Sequence, residues 1–170
     1  MRLSRLARDR RGSAAVEFAL ILPVVMLLYY GMAESTQALM ANRRVSVIAT
    51  AVGDLTAQAT QLRKAQIDDI FNISTAALKP FPVTTLGIRI VSIETNANSV
   101  PQIRWQQQRG TFPSGVDLST VEKTANIAII RAETIYTYKT PFGQIFPKAF
   151  TFKKQMDMKP RGGVAVVLLD

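Results

Sequence analysis

One apolar segment near the N-terminus constrains this sequence more than any other feature. Residues 13–33 form a run of 21 residues in which Glu17 is the only charged side chain. A helix of that length reaches about 30 Å, the thickness of the hydrocarbon core of a bilayer. The segment is therefore long enough to span a membrane. Tyr29 and Tyr30 fall near its far end, where aromatic side chains favour the interface.

The positive charge of the chain is concentrated immediately before this segment. The first twelve residues carry +4 of the formal net charge of +9, and their basic residues are Arg2, Arg5, Arg8, Arg10 and Arg11. After the apolar run, the nearest basic residues are Arg43 and Arg44. Because positively charged flanks remain in the cytoplasm, the pattern predicts a cytoplasmic N-terminus and an exported C-terminal part.

Two other interpretations of the segment stay open. A basic region, an apolar run and the residues Gly31-Met32-Ala33 also fit a cleavable secretory signal, although a carboxylate and a run of this length are unusual there. A buried core helix of a soluble protein is the second alternative. Neither alternative explains the presence of Glu17 as well as a membrane helix in which this carboxylate has a function.

Glu17 and Pro23 are the two unusual residues of the apolar run. A lone carboxylate at mid-membrane costs about 2.5–3.5 kcal/mol on insertion scales, so Glu17 is expected to have a partner or a function. Alternatively, it lies close enough to the cytoplasmic face to reach water or a leader arginine. Pro23 cannot donate the helix hydrogen bond to the carbonyl of Ala19, so it is predicted to kink the helix.

The absence of two residue types limits the chemistry of this chain. The sequence contains no histidine and no cysteine, which excludes Cys/His zinc sites, disulfides, thiol nucleophiles and Ser-His-Asp triads. Phosphate-binding, calcium-binding and metalloprotease motifs are also absent from the sequence. Enzymes remain possible only through carboxylates, Ser/Lys pairs or a bound cofactor, and no motif supports such a site. Our prediction is a protein that is not an enzyme, with no catalytic residues, no cofactor, no metal ion and no small-molecule substrate.

A family resemblance rests on the residues around the start of the apolar segment. Arg10, Arg11 and Gly12 precede Ser13, and Glu17 is the fifth residue after the glycine. A basic leader that ends in glycine, with a glutamate five residues later, resembles a class III prepilin signal. The string Gly-Ser-Ala-Ala-Val-Glu-Phe-Ala-Leu-Ile-Leu-Pro is similar to the TadE/TadG-like pseudopilins of the tight-adherence (Flp) pilus system. Stretches farther along the chain also resemble these proteins, at residues 54–58, 70–71, 78–82, 104–105 and 158–161.

The resemblance implies a processing step and an assembly role. It implies that a prepilin peptidase of the bacterial inner membrane cuts between Gly12 and Ser13 and so removes the arginine-rich leader. Glu17 of one subunit would pair with the new amine of Ser13 in a neighbouring subunit. The kink at Pro23 would help the helices to pack together or the subunit to leave the membrane. The implied partners are the membrane, the peptidase, other pilin-like subunits and the pilus assembly platform. The C-terminal domain would be periplasmic, in the pilus or at its base.

The chain is predicted to have four parts: a leader at residues 1–12, a membrane helix at 13–33, an amphipathic extension of that helix at 34–65, and an α+β domain at 66–170. The extension, ending near Lys64, follows from apolar residues spaced alternately by three and four. They are Ala38, Ala41, Val45, Ile48, Val52, Leu55, Ala59 and Leu62. This stripe either covers the protein's own domain, which we favour, or forms an intermolecular coiled coil.

The C-terminal part changes from helical to strand periodicity. Residues 67–78 predict a short helix with Asp68 and Asp69 as capping charges in its first turn. Alternating residues then predict an antiparallel sheet of about four strands packed on the long helix, a pilin-like α+β fold. These strands are predicted at residues 86–94, near Ile103 and Trp105, at 127–139 and at 150–158, with a turn at Asn96 and a loop at 109–120. Residues 164–169 are either an added edge strand or an apolar tail.

The last third of the sequence is basic. Its cationic residues are Lys139, Lys148, Lys153, Lys154, Lys159 and Arg161. A nucleic-acid surface is one interpretation, but we expect the solvated face of an exported domain and no nucleic-acid partner. The whole pattern favours a pseudopilin or minor pilin-like component of a tight-adherence pilus. The alternative is a membrane-anchored periplasmic binding or adhesion module that is never cleaved.

Overall fold

The computed structural model describes residues 12–140 and 149–170. The leader arginines Arg2, Arg5, Arg8, Arg10 and Arg11, and also Lys148, lie outside the described residues. The chain forms two compact units, Met1–Gln37 and Ala38–Asp170. The described elements are, in chain order, α1 (Ser13–Gln58), β1 (Gln61–Arg63), α2 (Lys64–Ala76), β2 (Leu86–Thr95), β3 (Pro101–Arg109), β4 (Ala128–Tyr138), β5 (Phe150–Met158) and β6 (Val167–Leu169).

Four strands form an antiparallel sheet, as the sequence predicted, and their order is β3-β2-β4-β5. The turn between β2 and β3 also lies where it was predicted. There, the side-chain Oδ1 of Asn96 accepts hydrogen bonds from the backbone amides of Asn98 at 2.9 Å and Val100 at 3.0 Å. An Asn side chain that binds the backbone in this way stabilises a tight reversal of the chain. The fold is therefore α+β.

In the unit Ala38–Asp170, the apolar stripe of α1 packs against one face of this sheet. The fully buried members of the stripe are Ala41, Val45, Ile48 and Val52, and they share a core with Ile88, Ile90, Ile130, Ala132 and Tyr136. The favoured interpretation, that the stripe covers the protein's own domain, is confirmed. The burial follows from the strand alternation, because every second residue of β2 and β4 points to α1.

The stripe departs from its predicted spacing at one position. Leu55 was expected in the core, but its exposed fraction is 39% and Thr56 is buried instead. A straight helix has 3.6 residues per turn, so a strict seven-residue pattern drifts off the contact face unless the helix supercoils. The hydroxyl of Thr56 is satisfied by the carbonyl of Val52, at 2.7 Å.

The long helix ends at Gln58, so the end that the sequence predicted near Lys64 is wrong. The C-terminal segment supplies partners for the carbonyls at and beyond the helix end. The amide of Arg161 donates to the carbonyl of Ala57 at 2.9 Å, and the amide of Val167 donates to that of Thr60 at 3.1 Å. Because the last helical carbonyls need partners, these bonds allow the chain to leave the helix.

The C-terminal segment forms a strand, which resolves the choice between strand and tail. β6 pairs in parallel with β1, with Leu62 opposite Leu168, in a two-stranded sheet separate from the main one. The ammonium of Lys64 meets the carboxylate of Asp170 at 2.9 Å. The indole of Trp105 donates to the carbonyl of Val166 at 2.7 Å, which attaches this segment to β3.

The short helix begins earlier than the sequence predicted. α2 starts at Lys64, and no acidic residue lies in its first turn, so the prediction that Asp68 and Asp69 cap the helix is wrong. Asp68 instead accepts from the guanidinium of Arg109 on β3, at 3.0 Å. The amide of Arg63 donates to the side chain of Gln66 at 2.8 Å and satisfies the helix start.

The segment between β3 and β4 runs over the second face of the sheet and is longer than the predicted loop at 109–120. Val121 from this segment packs with Val91, Ile93 and Ile129 in a second apolar cluster. Gly110 opens the segment with a φ of +80°, and a Cβ there would lie 2.6 Å from the carbonyl oxygen of Leu86.

We expect Gly110→Ala to lower the free energy of unfolding by about 1–3 kcal/mol, because the substitution combines a left-handed backbone with a backbone clash. Gly115→Ala is the matched control in the same segment, since a Cβ at Gly115 meets nothing within 4 Å. Urea unfolding of the two variants, monitored by the fluorescence of Trp105, measures the difference. Equal midpoints for the two variants would contradict the prediction.

Candidate assembly site on the N-terminal helix

The N-terminal part of α1 exposes a continuous apolar surface. Residues 13–29 are all exposed, and the exposed fractions reach 65% for Phe18 and 73% for Leu20. Within the described part of the chain, α1 is the one helix that is long and apolar enough to cross a membrane by length and composition. Apolar surface of this extent needs lipid or a protein partner to cover it. The helix is therefore suited to anchoring the protein in a membrane.

The predicted cleavage position lies at the start of this helix. Gly12 is exposed, and a Cβ added to it would have nothing within 4 Å. Ser13 is the first residue of α1. The peptide bond between the two residues is thus at the helix boundary, and no described side chain packs against Gly12.

Ser13 and Glu17 are brought together by the helix. They are four residues apart, so their side chains share one face of α1. The hydroxyl of Ser13 donates to Oε1 of Glu17 at 3.1 Å. A positive group at the backbone nitrogen of Ser13 would consequently be within one helical turn of the carboxylate.

Pro23 lies inside α1, which continues on both sides of it to Gln58. Its nitrogen carries no hydrogen, so the carbonyl of Ala19 lacks its usual helical donor. The loss of this single hydrogen bond follows from the residue type. A kink of the helix at Pro23 stays a prediction.

The start of α1 matches a known family. The family model described as TadE-like protein matches residues 12–53. This segment is TadE-like. The resemblance predicted from Gly12, Ser13 and Glu17 is therefore confirmed over the matched residues, and the similar stretches beyond residue 53 lie outside the match. No curated protein and no solved structure matches the chain.

The TadE-like segment continues into the globular unit, since its last matched residue, Gly53, packs against the sheet. A Cβ on Gly53 would be 3.2 Å from the sulfur of Met158 and 3.4 Å from the Cβ of Ala132. The family match therefore includes both the exposed apolar part of α1 and the part that forms the domain core.

Two buried arginines on the second face of the sheet were not singled out by the sequence analysis. Arg131 is fully buried and forms a bidentate ion pair with Asp157 on β5, in which both N···O distances are 2.7 Å. Its remaining amino group donates to the carbonyl of Asp117. The cation thus connects the edge strand β5, the central strand β4 and the covering segment, which is the stretch of chain between β3 and β4.

Arg89 makes the equivalent connection one strand away. It pairs with Glu133, directly opposite on β4, and donates to the carbonyls of Ser114 at 3.0 Å and Gly115 at 3.2 Å. Its guanidinium carbon lies 4.3 Å from the ring centre of Phe112. Each of the two arginines stands among apolar residues within a strand. A charged residue inside an otherwise apolar stretch is the sequence signal that could have identified them.

The covering segment also fixes a carboxylate. The hydroxyl and backbone amide of Ser119 donate to Asp117, at 2.6 and 2.8 Å. These bonds, with a smaller contribution from the charge of Arg131, hold the pKa of Asp117 below its ordinary value. The contribution of this group to stability is complete at neutral pH, and it is lost as the pH falls from the ordinary pKa of an aspartate through the lowered pKa.

The basic residues of the last third are partly neutralised within the fold. Lys159 pairs with Glu122 at 3.3 Å, and Arg161 pairs with Asp54 at 3.2 Å. The hydroxyl of Thr124 and then the ammonium of Lys159 lower the pKa of Glu122. No group of three or more acidic side chains among residues 12–140 and 149–170 is arranged to hold a metal ion.

Proposed function

We propose that this protein is a pseudopilin or minor pilin-like component of a tight-adherence (Flp-type) pilus system and that a prepilin peptidase cleaves it after Gly12. The observation that supports this proposal is the TadE-like match over residues 12–53, which starts at that glycine. The protein acts through packing and assembly and performs no catalysis. Its C-terminal domain lies in the periplasm, and the arginine-rich leader keeps the N-terminus in the cytoplasm.

The mechanism follows from the charges at the start of α1. Cleavage leaves a free amine on Ser13, which is a cation at neutral pH. Because Ser13 and Glu17 lie on one helix face, this amine can neutralise the carboxylate of its own chain while the helix is surrounded by lipid. When subunits assemble, the amine and the carboxylate of neighbouring helices pair instead. Two groups that are costly to bury alone then stabilise the contact together.

Mass spectrometry of the full-length protein isolated from its native membrane tests the cleavage. We expect an N-terminus at Ser13 in cells with an active prepilin peptidase and an intact leader in cells without it. Gly12→Leu should leave the leader in place, because a large side chain at a position that is now open obstructs an extended chain in a protease cleft.

The alternatives give different N-termini. An intact leader in peptidase-positive cells would overturn the proposal and favour the uncleaved periplasmic binding or adhesion module. An N-terminus at Glu34 would instead identify an ordinary secretory signal that ends at Gly31-Met32-Ala33. Ser13→Ala is the matched control, since it retains a small residue after the cleavage position.

A further inference from the structure

β5 is an edge strand of the main sheet in the described part of the chain. It pairs with β4 from Phe150 to Met158, and no strand among the described residues pairs with its other side. The outward-facing amides and carbonyls of such an edge are available to an added strand. Addition of an extended segment there would continue the antiparallel sheet without any change in the fold.

A pocket of about 220 Å³ lies on the second face of the sheet, next to β5. Phe112, Pro113 and Ile135 provide its apolar wall, and Lys153 and Gln155 of β5 provide its polar rim. Arg89 and Glu133 also line the pocket, but each already has the other as its partner. Asp117 lines it too, and its carboxylate accepts hydrogen bonds from Ser119. The positive charges of the pocket that have no ion-pair partner among the described residues are therefore those of Lys153 and Lys154.

A more open groove of about 420 Å³ lies on the opposite face of the sheet, between α1 and Met158 at the end of β5. Val47 and Ala51 of α1 provide its apolar lining together with Met158, and Val47 is 56% exposed. Ser46, Thr50 and Asp54 also line it, and the carboxylate of Asp54 is already paired with Arg161. The pocket and the groove thus lie on the two faces of the same edge strand. Alternate side chains of an added strand would point to these two faces.

The charge distribution selects the kind of segment that fits. Lys153 and Lys154 on β5 form no ion pair with the described residues, whereas Lys64, Lys159 and Arg161 each do. Lysines on an edge strand oppose the addition of apolar or basic strands. A segment that carries an acidic side chain compensates these charges and avoids that penalty.

We propose that the free side of β5 binds an extended acidic segment of a partner protein as a fifth strand. An acidic side chain of this segment enters the pocket beside Lys153, and an apolar side chain enters the groove beside Met158. Lys153 and Met158 are five positions apart on β5, and an odd separation places them on opposite faces. The two anchoring side chains of the partner are therefore also separated by five positions, about 17 Å along the strand. This binding does not depend on cleavage after Gly12.

The test uses the full chain in neutral detergent and two fluorescein-labelled nine-residue probe peptides. One peptide has threonine throughout except for glutamate at its second position and leucine at its seventh, and the other has these two residues exchanged. Because the glutamate and the leucine are in opposite order in the two peptides, one peptide fits a strand added parallel to β5 and the other fits a strand added antiparallel to it. Fluorescence anisotropy measures binding, and hydrogen exchange measures the protection of the amides of β5.

We expect at least one peptide to bind and to protect β5 amides from exchange. Lys153→Glu should weaken this binding by about tenfold, because it replaces the compensating charge with a repulsive one. Lys153→Met, which retains the stem of the side chain, should show an intermediate loss. Lys79→Glu is the matched control, since it makes the same charge change on an exposed residue outside β5 and should alter the affinity by less than about twofold.

Three results would overturn the proposal. They are the absence of binding by both peptides, equal binding by peptides with lysine in place of glutamate, and binding without protection of β5. A single-stranded oligonucleotide that binds through Lys153 without protecting β5 would assign the surface to nucleic acid instead. Because Lys153 is exposed, its variants should retain the unfolding midpoint of the parent chain, which urea unfolding checks.

Discussion

Arg131→Ala is expected to lower the free energy of unfolding by about 3–5 kcal/mol, the largest loss of stability that we predict for a single side chain. The side chain of Arg131 is 0% exposed and that of its partner Asp157 is 30% exposed. Removal of the cation leaves a partly buried carboxylate without its bidentate partner and leaves the carbonyl of Asp117 without its donor. It also opens a cavity next to the second apolar cluster.

Arg104→Ala is the matched control for this prediction. Arg104 also pairs with a carboxylate on the neighbouring strand, that of Glu94, but its side chain is 60% exposed. An ion pair in water contributes about 0–1 kcal/mol, so the control should change stability little. The two variants therefore compare the same chemistry at two degrees of burial.

Urea unfolding of the full chain in detergent measures both variants. The single tryptophan, Trp105, reports on the domain because it is half-buried on β3 and bonded to Val166. Arg131→Lys should fall between the parent and Arg131→Ala, since an ammonium keeps the charge but cannot make the bidentate contact. A loss for Arg131→Ala no larger than that for Arg104→Ala would show that the buried pair does not hold the sheet and its covering segment together.

Glu17→Ala is expected to reduce pilus assembly by about tenfold or more while membrane insertion is retained. A hydrogen bond to a charged group contributes about 1.5–3 kcal/mol, and a loss of 1.4 kcal/mol per subunit contact is a tenfold change in affinity. Insertion should become slightly more favourable, because the substitution removes a carboxylate from an apolar helix. The expected defect is thus in the contact between helices.

Quantitative immunoblotting of sheared surface fibres measures assembly, and membrane fractionation measures insertion. Ser13→Ala is the control, since it removes the hydroxyl that contacts Glu17 but keeps the amine and the carboxylate. Glu17→Gln separates charge from hydrogen bonding and should resemble Glu17→Ala if the pairing is ionic. Unchanged fibres in Glu17→Ala cells would contradict a pairing role for this residue.

The predictions from sequence succeeded where a local pattern carried the information. The alternation in β5 and the spacing of Val45, Ile48 and Val52 each reflect which side of an element is buried. Burial of one face is a requirement for any stable helix or sheet in water, so it leaves a trace in the order of the residues. The start of the TadE-like segment was equally accessible, because its glycine, serine and glutamate are close in the sequence.

Predictions from local patterns were wrong where a contact with a distant segment decides the local structure. The helix end at Gln58 depends on Arg161, and the role of Asp68 depends on Arg109. The sequence shows a helix-compatible stretch and a pair of acidic residues at these places. Propensity and spacing do not determine which distant donor satisfies a carbonyl or a carboxylate.

The sequence by itself determined an apolar helix of membrane length with one carboxylate, a domain with a helical and then an alternating period, and a chain without histidine or cysteine. Only the tertiary structure decided which charges are buried together and where the C-terminus pairs. Arg131 meets Asp157 across 26 positions, and Lys64 meets Asp170 across 106. Such pairs form because the folded backbone brings the groups within hydrogen-bonding distance, and no periodicity along the chain records that distance.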